Sequence, residues 1–144
     1  MLLIVATLPD SPDGGIRSFA TRSGKEPTKT MADRMTPSNA LARLAAAGNA
    51  PFIELFRHGS LSVEIYKPDK VDRQSPHSRD ELYVVVSGTG DFLCGDRRQP
   101  FQPGEVLFVP AGVPHRFEGF TDDFATWVFF YGPEGGEAGH DDRP

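Results

Sequence analysis

At 144 residues the chain suits a single domain that buries about two-thirds of its unfolded surface. Its formal net charge of −5 comes without a basic stripe, which argues against nucleic acid as the main partner. Hydrophobic residues at 38% and charged ones at 24% place it with soluble globular proteins, and 15 glycines and 13 prolines without a collagen-like period point to many tight turns and a β-rich fold.

Cys94 is the only cysteine, so no intrachain disulfide forms, in keeping with a reducing cytoplasm. Met1 to Leu8 is apolar but too short to span a membrane, and it lacks the basic flank of a signal peptide. The expectation is a cytoplasmic protein with no membrane partner.

Residues 1–35 read as a disordered leader: Pro9-Asp10-Ser11-Pro12-Asp13-Gly14-Gly15 opens a polar run with neither helical nor strand period. Met31 and Met35, at its end, are candidate translation starts. A single domain is expected over 36–132. It begins with a helix over 37–47, for which Thr36 can act as N-cap, Pro37 suits the first helical position and Gly48 closes the last turn. Leu41, Leu44 and Ala45 share one stripe of that helix, which suits packing on the outside of a sheet.

From residue 51 to residue 131 the pattern is of short strands. Expected strands cover 52–57, 61–66, 81–87, 91–94, 98–102, 105–109, 115–120 and 124–131, separated by Gly- and Pro-containing turns. About eight such strands make an antiparallel sandwich or barrel, so the fold class is all-β. The last strand, Phe124 to Tyr131, is apolar on both faces, so something covers its outer side. The helix or a second subunit would serve, and a homodimer is the preferred expectation. Residues 133–144 read as a mobile tail.

The chemistry concentrates before the third strand, in Pro76-His77-Ser78-Arg79-Asp80-Glu81. Side chains four apart on a strand share a face, so His77 and Glu81 would point together into the space the sheet encloses. An imidazole and a carboxylate converging on one point make half of a metal site. Of the other histidines, His140 lies in the tail and His58 in a hairpin turn, both places for a solvated side chain. His115 follows the corner Pro110-Ala111-Gly112-Val113-Pro114, which fixes the direction in which its side chain leaves the backbone.

These segments resemble the two motifs of the cupin family. Gly104, Pro110, Gly112 and His115 match the second motif, and His77, Glu81 and Gly88 match the first at its spacings. The resemblance runs from Leu61 to Gly132. It implies a small antiparallel jelly-roll barrel with a divalent metal (Fe, Mn, Ni or Zn) in its mouth, and frequently a homodimer. His77, Glu81 and His115 would be the metal ligands. Two positions depart from the pattern: Ser75 stands where the family has its first histidine, and Gly119 where an asparagine often ends the second motif. Serine is a poor partner for such a metal, so Gln74, with Asp72 beside it, is a candidate fourth oxygen, and water is the other.

By strand parity Tyr83 and Val85 share the face of Glu81, and Phe117 that of His115, giving an apolar cup with one phenol. Arg79 is a further candidate for the pocket, as a hook for a substrate carboxylate, although an arginine at a strand mouth also suits solvent. Asp80, on the opposite face, is expected to pair outside the barrel, and Cys94 to pack as a small core residue. Two function classes follow. One is a metal-dependent oxygenase or isomerase acting on a small organic molecule; the other is a non-catalytic module that binds a small ligand or a metal.

Overall fold

The computed structural model describes residues 34–139. The leader as far as residue 33, with Met31, and the end of the tail, with His140, lie outside them.

Helix α1 (Pro37–Ala46) starts at Thr36, whose side chain accepts a hydrogen bond from the Asn39 amide at 3.2 Å. Pro37 holds the first position and Gly48, at φ +86°, follows the end. Eight strands follow: β1 (Phe52–His58), β2 (Leu61–Tyr66), β3 (Asp80–Ser87), β4 (Gly90–Cys94), β5 (Arg97–Phe101), β6 (Val106–Val109), β7 (His115–Glu118) and β8 (Ala125–Tyr131). They form a five-stranded antiparallel sheet in the order β1-β2-β8-β3-β6 and a three-stranded one in the order β5-β4-β7. The all-β class and antiparallel pairing expected from the sequence are those observed.

Register fixes what faces inward. Tyr83 pairs with Val128 and Leu107, and Glu81 with Phe130 and Val109, so these side chains share the inner face of the large sheet. Phe92 and Phe117, paired across β4 and β7, meet them from the small sheet. With Val85, Phe101 and Phe124 they form the main apolar core, in which the Phe117 and Phe124 rings lie 4.6 Å apart. Cys94 packs at its margin, half-buried.

The outer face of β1, β2 and the near end of β8 is covered by α1. Ala40 and Leu44 pack with Ile65, Ile53, Leu55 and Trp127. One of the two covers expected for the last strand is therefore the helix. It does not extend over β6, where Val106 and Phe108 are exposed beside Leu82 and Val84 of β3.

Gly88 closes β3 because nothing larger fits. Its φ is +81°, and a Cβ there would lie 2.5 Å from the Phe124 Cα. The first residues of the tail are held in place: the Gly135 amide donates to the Ser78 carbonyl at 2.6 Å, and the Glu137 amide to Asp80 Oδ2 at 2.7 Å. The chain there satisfies a buried carboxylate.

Candidate metal centre

His77 sits before the strand that carries Glu81, not within it, because β3 begins at Asp80. The segment is held all the same. The Gly112 amide donates to the His77 carbonyl at 2.7 Å, tying the approach to β3 directly to the corner that leads to His115. Asp80, 5% exposed, accepts from the Ala111 amide at 2.9 Å on the same corner, so its partners are backbone groups that brace both motifs.

These ties bring three side chains together. Ligand atoms of His77, Glu81 and His115 all lie within 4.8 Å of one another. Glu81 Oε2 is 2.9 Å from His77 Nδ1 and 3.0 Å from His115 Nε2. Glu81 is 1% exposed, and its second oxygen, Oε1, is buried without a hydrogen-bond partner.

Hydrogen-bond bookkeeping assigns the protons. His115 Nδ1 lies 2.8 Å from the Val113 carbonyl, which can only accept, so Nδ1 carries a hydrogen. Asp72 receives four donors: the Tyr66 hydroxyl at 2.6 Å, the Gln74 amide N–H at 3.0 Å, Gln74 Nε2 at 2.7 Å and the Phe117 amide at 2.8 Å. With Nε2 of Gln74 committed to that carboxylate, its Oε1 faces Tyr83 and accepts the phenolic hydrogen at 2.9 Å. The Tyr83 hydroxyl also lies 3.0 Å from His115 Nε2, which faces Glu81 Oε2 at the same distance. His115 and Glu81 therefore face each other as a hydrogen-bonded imidazole–carboxylate pair.

The electrostatics agree. Burial alone would raise the Glu81 carboxyl, but hydrogen bonds from His115 and His77 hold it below its ordinary range. Burial alone would lower His115, but its bonds to Glu81 and to the Val113 carbonyl hold it above the usual imidazole value.

Two of the triad, His77 and Glu81, open into a cavity of about 630 Å³ on the inner face of β1, β2 and β8, with His115 buried behind them. The lining of this cavity differs from the expected cup. His77, Glu81, Gln74 and Ser75 line it, whereas Tyr83, Val85, Phe117 and Arg79 do not. Tyr83 lies beneath the triad, and Val85 and Phe117 are deeper still, because every two residues along a strand descend roughly 7 Å. Arg79 donates to the Ser60 carbonyl and, at 3.2 Å, to Ser62 Oγ, with its guanidinium 5.8 Å from the Phe130 ring centre. That fixes the β1–β2 hairpin instead of offering a hook. The wall is made by Phe52, Glu64, Tyr66, Val128 and Phe130, which motif reading missed. For Glu64 and Tyr66 the signal was the parity of β2, where Ser62, Glu64 and Tyr66 share a face.

Residues 62–131 match the sequence model of the cupin domain family. The chain belongs to the cupin superfamily. This cupin is 36% identical over 91 residues to an uncharacterized protein of Streptomyces coelicolor, covering 62% of this chain and 87% of that protein. It is 38% identical over 72 residues to acireductone dioxygenase 1 of Pectobacterium atrosepticum, covering 46% of this chain and 42% of the dioxygenase; the chain thus spans under half the length of that relative. A crystal structure reported for the DMSP lyases RdDddP and RnDddQII superposes with a TM-score of 0.50 at 30% identity, over 58% of this chain and 47% of that one. The plu4264 protein of Photorhabdus luminescens superposes with a TM-score of 0.50 at 14% identity, over 56% and 73%, and shares the fold alone.

Proposed function

We propose that His77, Glu81 and His115 hold a divalent metal and that this cupin uses it on a small organic molecule that binds through oxygen. One observation carries the reading: three ligand-type side chains converge beside an open cavity, both imidazoles on Glu81 Oε2, while the other oxygen of that carboxylate, Oε1, is buried with no partner. An orphaned buried acceptor is costly, and a cation is the partner that would satisfy it. His115 Nε2, aimed at Glu81 Oε2, marks the place a metal would take, and the Nδ1–H bond to Val113 would hold the ring with its Nε2 lone pair directed at the metal. Two imidazoles and one carboxylate suit Fe(II), and also Mn, Ni or Zn. When bound, the metal would supply Lewis acidity and open positions for ligand oxygens.

The chain's own residues do the rest. Val128 and Phe130 give one side of the cavity an apolar wall, with Phe52 at its exposed rim. Gln74, which reading of the sequence offered as a fourth ligand, has its amide held between Asp72 and Tyr83 and is better suited to fixing the phenol. Ser75 lines the cavity and leaves room for a substrate atom or water. The similarity to a protein named as a dioxygenase favours oxygen chemistry over isomerisation. Metal analysis of untagged protein should return close to one equivalent per chain, with His115→Ala largely empty. Equal metal content in the two would overturn the site.

The exposed outer face of β6, beside half-buried Leu82 and Val84 of β3, suggests a homodimer. Val106 and Phe108, 62% and 50% exposed, extend the apolar row of Leu82 and Val84 on an unpaired edge strand. Light scattering should give twice the chain mass, and Phe108→Lys half of that. A monomer mass for the wild type would remove the proposal.

A further inference from the structure

Glu64 has no part in the metal reading, yet it projects from the middle strand of the cavity wall. It pairs in register with Glu54 on one side and Val128 on the other, so its side chain shares the inner face with Tyr66. Glu54 is engaged by the Arg57 guanidinium. No hydrogen bond or ion pair reaches the Glu64 carboxylate among the described residues, and it is half-buried. Burial, and the Glu54 and Glu81 carboxylates nearby, all disfavour its charge, with His77 the main opposing group.

A carboxylate drawn out of water, facing other carboxylates and set among aromatic rings, is the environment of a cation subsite. Among the described residues the chain supplies no such cation. Arg73 lines the same cavity at its exposed rim without an ion pair to Glu64, and Arg79 is turned away to Ser60 and Ser62. The partner would then have to arrive with the ligand.

We propose that the cavity receives a small organic cation, with chelating oxygens at the end facing His77 and Glu81 and an ammonium-type group at the end seated on Glu64 against Phe52, Tyr66 and Phe130. This inference rests on the metal reading. It narrows the ligand from any oxygen chelator to one carrying positive charge a few bonds from its chelating end.

Two hydroxamates of equal length separate the cases: β-alanine hydroxamate, which ends in ammonium, and butyrohydroxamate, which ends in methyl. Calorimetry on metal-loaded wild-type protein should show the ammonium probe binding at least about tenfold tighter. In Glu64→Gln the ratio should fall to near one, with metal content and butyrohydroxamate affinity unchanged. Equal affinities in the wild type, or a preference that survives Glu64→Gln, would overturn the proposal. The wild-type comparison decides even where the variant does not fold. Protein that takes up no metal and binds neither probe removes the metal reading, and this inference with it; metal-loaded protein that binds both alike removes this one alone.

Discussion

Replacing Glu81 with glutamine should abolish metal uptake at the proposed centre while leaving the barrel folded. The amide keeps the volume of the carboxylate but loses its charge, and the two imidazoles alone would hold a divalent ion weakly. Outer-shell changes around a metal commonly cost 10–100-fold in affinity, so loss of a charged ligand should exceed about a hundredfold, read by competition with a chelating dye. Stability of the metal-free protein should fall as well. Glu81 is 1% exposed and paired with His115 and His77, and breaking a buried pair costs about 3 kcal/mol.

The pH dependence has a definite sign. Glu81 is depressed in the folded state, so its contribution is present above its unfolded pKa and is lost as pH falls through the folded value. His115 is raised, so its contribution is full below its unfolded pKa and is lost as pH rises through the folded one. The wild-type metal-free protein gains from the pair between the carboxylate and imidazole ranges, and Glu81→Gln should flatten that gain. An unchanged metal affinity in Glu81→Gln would refute the proposed ligand set.

Much of the barrel was written in local chemistry. Thr36, Pro37 and Gly48 bound the helix because caps are read from a few residues, and Gly88, Gly95 and Gly104 mark corners that need positive φ. Strand edges shifted by a residue or so, as ladder bonds and not propensity set them. The convergence of His77, Glu81 and His115 was legible because the spacing of two motifs encodes it. The cavity wall was not, since Glu64, Val128 and Phe130 become neighbours only when β8 inserts between β2 and β3. Strand parity gave the correct face for Val85 and Phe117 but not their depth, and depth decides between lining and core. Asp80 carried no sequence signal for its role either, because its partners, the amides of Ala111 and Glu137, belong to residues of any type.

Asp72 is the other position where one substitution should have a large effect, and the reason is the number of donors it serves. Removing its carboxylate strands the Tyr66 hydroxyl, two Gln74 groups and the Phe117 amide at once. At about 1 kcal/mol for each bond, Asp72→Ala should cost about 4 kcal/mol. For a domain of this size that lowers the melting temperature by about 15 °C or more. The loss should also reach the metal centre. With Asp72 gone, Gln74 is free to turn its amide, Tyr83 no longer has a fixed acceptor, and its hydrogen competes for His115 Nε2. Metal affinity should therefore drop by about 10–100-fold, the range for orienting groups behind a ligand. Tyr66→Phe deletes one of the four bonds and leaves the Gln74 orientation intact, so it should lower stability modestly and spare metal affinity. Equal metal affinity in Asp72→Ala and Tyr66→Phe would show that Asp72 braces the fold without setting the proton arrangement at His115.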